Sequence, residues 1–172
     1  MAGASYFFGD NTKGFDPLFD TEDGFGNTVV EIGEDGDLVY VNDYGVLELF
    51  YQVGIKAAMP ISLYGDYILN TEADTSGDTG FLFGVKVGKA KKQGTYELDY
   101  NYRDLEADAT IGAFTDSDSF GGGTNGDGHK ISGKYQLTKN LQTGIAVFLN
   151  SIDPDGMDMD YTRAQFDVIA KF

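Results

Sequence analysis

This sequence predicts an all-β chain, laid out as an antiparallel up-and-down transmembrane β-barrel of about eight strands. Three observations lead there. Apolar and polar residues alternate with period two through seven clear segments and one weaker one, the mark of strands with two unlike faces. The connections between those segments alternate long and short, so one end of the meander carries large loops and the other tight turns. No run approaches the roughly 20 apolar residues of a membrane-spanning helix, and a closed barrel is the other structure that pairs every backbone polar group in lipid.

The elements follow in order. The weaker segment is "AGASYFFG" (2–9), and a long loop, 10–43, comes after it. "YGVLELFYQVGIK" (44–56) puts Leu47, Leu49, Tyr51, Val53 and Ile55 on one face and Glu48, Phe50, Gln52 and Lys56 on the other. "PISLYGDYILN" (60–70) sets Ile61, Leu63, Tyr67 and Leu69 against Ser62, Tyr64, Asp66 and Asn70, and "GFLFGVKVGK" (80–89) sets Phe81, Phe83, Val85 and Val87 against Gly84, Lys86 and Gly88. In "TYELDYNYRD" (95–104), Tyr96, Leu98, Tyr100 and Tyr102 oppose Glu97, Asp99, Asn101 and Arg103. After the loop 105–127 come "GHKISGKYQL" (128–137), "LQTGIAVFLN" (141–150) and a closing strand, 160–172, in which Ala164, Phe166, Val168, Ala170 and Phe172 alternate with Arg163, Gln165, Asp167, Ile169 and Lys171, four of these five being charged or amide-bearing. All of this fits a single domain, 1–172, with both termini at the tight-turn end.

Charge follows the same division. The chain carries a net charge of −16, and 22 of its 28 acidic residues fall in the four long connections. Such a surface repels nucleic acid and anionic headgroups and attracts cations, so no nucleic-acid partner is expected. The absence of cysteine excludes a disulfide framework and any thiolate metal site. The opening "MAGASYFF" lacks the basic segment and apolar core of a secretory signal, which is expected to have been removed or truncated if the chain is exported.

A soluble β-sandwich also alternates, but it turns its apolar face inward and its outer face is rich in Ser, Thr and Lys. Here the polar face mixes opposite charges with glycines, which suits a crowded, hydrogen-bonded interior. The residues expected to face the lumen are Glu48, Gln52, Lys56, Asp66, Lys86, Glu97, Asp99, Arg103, Lys130, Lys134, Arg163 and Asp167. Tyr51, Tyr67, Tyr96, Tyr100, Tyr102, Tyr135 and Phe172 fit the aromatic girdles of outer-membrane barrels. The implied partners are outer-membrane lipid or detergent on one side and small ions or solutes on the other. An eight-stranded interior is just filled by side chains, so a monomer of that size is expected to be plugged or narrow.

The stretches "YGDYILNTE" and "GVKVGKAKKQGTYELDYNYRDLEADATIGAFTDSDSFGGGTNGDGHK", together with the closing aromatic, resemble the C-terminal half of the putative porin family of Gram-negative outer membranes, over roughly residues 43–172. The resemblance implies an outer-membrane β-barrel of porin type that passes small solutes or ions by passive diffusion, and it implies no defined solute. Members of that family are usually much longer, with an N-terminal coiled-coil segment and more strands.

No required cofactor is expected, and Ca²⁺ is the one metal to weigh. "DPDGMDMD" (153–160), with Asp153, Asp155, Asp158 and Asp160, and "GEDGD" (33–37), with Asp35 and Asp37, offer the oxygen ligands calcium takes, without EF-hand spacing. The plainer reading is a pair of solvated acidic loops. "GGGTNGDG" (121–128) lacks the Lys-Ser/Thr and the helix of a phosphate loop. His129 is the only histidine, so neither a catalytic triad nor a zinc site has a second imidazole, and alternation places it on the lipid side near the loop end. Glu97 and Asp99 fit a structural salt-bridge network better than an acid/base pair, and no enzyme is expected. The alternative function is a secreted or surface β-protein whose acidic loops bind Ca²⁺ and which self-assembles.

Overall fold

The computed structural model describes residues 1–9, 11–153 and 156–171. Strand β1 (Ala2–Gly9) precedes a hairpin of β2 (Val29–Ile32) and β3 (Asp37–Tyr40). The long strands follow: β4 (Tyr44–Ile55), β5 (Ile61–Asn70), β6 (Thr79–Gly88), β7 (Tyr96–Leu105), β8 (Gly126–Gln136), β9 (Leu141–Ile152) and β10 (Met159–Ala170). A single 3-10 turn, Gly112–Phe114, lies in the connection before β8.

Eight strands form one sheet in the order β1-β4-β5-β6-β7-β8-β9-β10, with every neighbour antiparallel. These are the segments the alternation marks, with ends displaced by no more than two residues. The architecture is therefore an all-β, up-and-down meander with tight turns at one end and long connections at the other. Strands β1 and β10 are its two edges, and they are not paired with each other among the described residues.

The stretch 10–43 departs from the expected plain loop. Residues 29–40 form the β2–β3 hairpin, in which Val29 pairs with Tyr40 and Ile32 with Asp37. The turn needs left-handed backbone at Gly33 (φ 72°) and Gly36 (φ 77°), which glycine adopts without a Cβ penalty. Four-residue strands among acids are too short to show a period, so the alternation misses them.

The two buried hydrophobic clusters sit at the loop end of the sheet, and Phe148 and Ala146 of β9 are buried apart from them. Tyr40, Tyr44, Val46 and Ile111 form one cluster, and Leu105, Ala109 and Phe120 another. Phe25 runs through this region so closely that a side chain at Gly112 or Gly123 would collide with its backbone. The glycine run at 121–123 is thus explained by packing and by its three positive φ angles.

Candidate functional site: the polar face and the cap over it

The register lines up one face of the sheet in rows that cross from strand to strand. One row reads Gln52, Tyr64, Gly84, Asn101, Lys130, Phe148, Arg163, and the next Ser62, Lys86, Asp99, Ser132, Ala146, Gln165. A third brings Glu97 opposite Lys134 and Gly144 opposite Asp167, and a fourth holds Asp66, Leu82 and Arg103. Eleven of the twelve residues assigned to the lumen thus share one face, and Lys56 lies just past the end of β4.

That face is hydrogen-bonded across strands. Tyr64 donates its hydroxyl to Asp99 Oδ1 at 2.6 Å, and Asn101 Nδ2 donates to the Tyr64 oxygen at 3.2 Å. The Lys86 ammonium stands 3.4 Å from Asp99. Tyr64 lies across Gly84, where any Cβ would overlap its ring, so the glycine makes room for the tyrosine that reaches Asp99. Gln52 Nε2 donates to Ser62 Oγ at 2.7 Å, Ser5 donates to Glu48, and Lys130 Nζ sits 4.7 Å from the Phe148 ring centre. Asp99 therefore takes part in a cross-strand network with Tyr64 and Lys86.

The opposite face is apolar and exposed: Leu49, Leu63, Phe83, Leu98, Ile131 and Leu149 each show between 41% and 55% of their surface. A row of such residues across eight strands far exceeds the patches that soluble monomers leave open. Tyr51, Tyr67, Tyr96, Tyr100, Tyr102 and Tyr135 stand on this side, whereas Phe172 lies outside the described residues. His129 is here too, with Nδ1 3.0 Å from the Tyr100 hydroxyl.

Over the loop end lies a cap that alternation gave no means of seeing. Asp108 is fully buried. Its Oδ1 accepts from the Thr28 backbone N–H at 3.0 Å and the Tyr44 hydroxyl at 3.4 Å, and its Oδ2 from Thr75 Oγ1 at 2.9 Å. Asn27 Nδ2 reaches the carbonyls of Ala107 and Thr110 at 2.6 and 2.7 Å, while its Oδ1 accepts from Gly112 N–H at 2.7 Å. Asn70 Nδ2 donates to the carbonyls of Asp43 and Asp108, both at 3.0 Å. Three long connections are thereby tied into one body. At its rim the Asp43 carboxylate accepts from the backbone N–H groups of Lys13 (2.9 Å) and Thr12 (2.8 Å), which hold its pKa below the usual carboxylate range. Lys13 pairs with Asp74, which raises the ammonium pKa.

The connection 106–125 also reaches onto the polar face. Phe114 meets Phe7 of β1 edge-on at 6.4 Å between ring centres, and Asp118 binds Arg163 (3.0 Å) and Gln165 (2.9 Å) of β10. Between this segment and the sheet lies a hollow of about 230 Å³ lined by Asp66, Ile68, Leu82, Arg103, Phe114 and Asp116.

The acidic stretches weighed for calcium lie apart from this region. Asp35 and Asp37 are exposed in and beside the hairpin turn. Asp153 accepts from Met157 N–H at 2.8 Å and Asn125 Nδ2 at 3.1 Å, and Asp158 from Ser151 Oγ at 2.5 Å. Asp160, the second residue of β10, lies on its apolar side, and Asp155 lies outside the described residues. Among the described residues no three acidic, histidine or cysteine side chains converge as a metal site.

The family model described as putative porin matches residues 30–172. No curated protein and no solved structure matches the chain.

Proposed function

Since the chain belongs to the putative porin family, we propose that it forms the wall of an outer-membrane β-barrel through which small ions and solutes, cations preferentially, diffuse passively. One observation carries the reading: a single sheet with a hydrogen-bonded, charged face and an exposed apolar face across eight strands. Water on one side and lipid on the other satisfy both faces, and the barrel needed to span is the only strand architecture stable in hydrocarbon. The family points to a non-enzymatic channel, and Asp99 and Lys86 serve as wall residues that present charge to a passing ion. The concentration of acids at the loop mouth raises the local cation concentration there.

The test is reconstitution. Protein refolded in detergent should migrate on gels in a heat-modifiable way, show β-type circular dichroism, and carry current in planar bilayers with a reversal potential of cation-selective sign across a KCl gradient. A monodisperse, detergent-free monomer would overturn the membrane reading. Particles dispersed by chelation rather than formed on detergent removal would favour the calcium-assembled surface protein instead.

A further inference from the structure

The hollow beneath the 106–125 segment has a floor and a roof of unlike chemistry. Its floor is the row in which Asp66 of β5, Leu82 of β6 and Arg103 of β7 stand side by side. Neighbouring strands lie about 4.8 Å apart, so the carboxylate and the guanidinium spring from backbones roughly 10 Å apart, with the leucine between them. Among the described residues Arg103 enters no ion pair, and Asp66 Oδ1 is buried yet accepts no hydrogen bond. Glu48, a second carboxylate that accepts from Ser5, adjoins Asp66. A buried acceptor without a donor is costly, so this end of the hollow favours a ligand that brings donors.

The roof is tied down by the chain itself. Asn27 Oδ1 accepts from Gly112 N–H and its Nδ2 donates to the Thr110 carbonyl, both at 2.7 Å. Thr115 Oγ1 donates to the Gly112 carbonyl at 2.9 Å and accepts from Gly123 N–H at 2.8 Å. These bonds fix the 3-10 turn that carries Phe114, whose ring meets Phe7 and Phe19 edge-on at 6.4 and 6.0 Å between centres. Ile68, Leu82 and Phe114 give the hollow an apolar side between its two charges. A pocket formed in advance spares the cost of ordering a loop around its ligand.

We propose that this hollow is a recognition site for a small zwitterion, with its ammonium at Asp66, its carboxylate at Arg103 and a short apolar group beneath Phe114. The inference rests on the pore reading, for which it names a class of solute. A plain cation would leave the guanidinium without a partner, and a plain anion would meet the Asp66 carboxylate, whereas a dipolar ion suits both ends. At about 30 Å³ per water molecule in the liquid, a hollow of about 230 Å³ holds a solute of roughly eight heavy atoms, the size of an aliphatic amino acid. Weak binding at one point of the path makes passage saturable without trapping the solute.

Three probes of one shape and different charge test the site: leucine, leucinamide, which lacks the carboxylate, and isocaproate, which lacks the ammonium. Each is titrated against the full chain refolded in detergent, with binding read by saturation-transfer NMR, and the KCl current in planar bilayers is recorded with and without leucine. Leucine should bind more tightly than either single-charge probe and reduce the current saturably. Asp66→Asn should weaken leucine and leucinamide by at least about tenfold and spare isocaproate, while Arg103→Gln should weaken leucine and isocaproate and spare leucinamide. Asp35→Asn, in the distant hairpin turn, should alter none of them. Equal binding of the three probes, leucine binding untouched by both site variants, or current with no binding would overturn the zwitterion site and leave the pore reading standing. Selective binding by a protein that inserts but carries no current would support the site and overturn the pore reading.

Discussion

Asp108 shows how one residue organises the cap. Three donors, Thr28 and Thr75 from two separate connections and Tyr44 from the start of β4, converge on its carboxylate, and no solvent reaches it. Truncation in Asp108→Ala leaves those donors buried without an acceptor, and each such group costs about 1–3 kcal/mol. The cap should therefore lose roughly 2–4 kcal/mol, read as a lower thermal midpoint and rapid proteolysis within 12–42 and 106–125. Asp108→Asn keeps an acceptor for Thr28 and Tyr44 and can donate to Thr75, so it should cost much less. Equal losses from the two variants would show that volume, not hydrogen bonding, holds the cap. Asp43 supplies a pH dependence of known sign. Its pKa is depressed in the folded chain by the N–H groups of Lys13 and Thr12. Its contribution is thus fully present above the unfolded value near pH 4 and fades as pH falls through the lower folded value. Proteolysis near Thr12 should accelerate in the wild type as pH falls below about 4, and Asp43→Asn should remove that step.

At the scale of the strands, the register makes a prediction that labelling can check. Single cysteines at Leu49, Leu63, Val85, Leu98 or Val147 should react with lipid-soluble probes in reconstituted protein, whereas those at Glu48, Lys86, Glu97 or Arg163 should be shielded from them. The reverse pattern would turn the sheet inside out. This much was legible in the sequence because a period of two, repeated over ten or more residues, survives local irregularity, and a one-residue slip would have exchanged the faces wholesale. The glycines of the polar face were legible as gaps but not as partners: that Gly84 accommodates Tyr64 depends on register between strands. The cap was not legible. Its anchors, Asn27, Asn42, Asn70 and Asp108, are polar residues in polar stretches, which locally read as solvated turns. Their burial follows from contacts between distant stretches, 33 residues apart for Asn42 and Thr75 and 80 for Asn27 and Ala107, which no periodicity records. A sequence signal did exist in hindsight, in Tyr40 and Tyr44 on either side of Asn42, large rings that a loop open to water has no use for.

For the whole molecule, charge distribution decides what a pore built from this sheet would pass. The acidic connections gather at one mouth, while Lys89, Lys91, Lys92 and Lys139 lie at the tight turns of the other end. In the proposed pore an entering cation would therefore meet an attractive field at the loop mouth, then the mixed lining of Asp66, Arg103 and Asp116, then a more basic exit. Loop charges act through water, so their influence falls with ionic strength, the screening length being about 10 Å at 0.1 M salt and about 3 Å at 1 M. Preference for K⁺ over Cl⁻ should accordingly be several-fold at about 0.1 M and shrink toward parity at about 1 M. The hollow beneath the 106–125 segment responds differently, because charges within a few ångströms of the ion are poorly screened at any salt. Arg103→Ser removes the positive charge from that lining and should raise cation preference even at 1 M, whereas replacing the exposed Asp35 and Asp37 by Asn should lower it only in dilute salt. Reversal potentials of the three proteins across matched KCl gradients separate the two contributions. If Arg103→Ser left selectivity unchanged at high salt, ions would not be passing beside Asp66 and Asp116, and the conducting path would lie elsewhere in the ring.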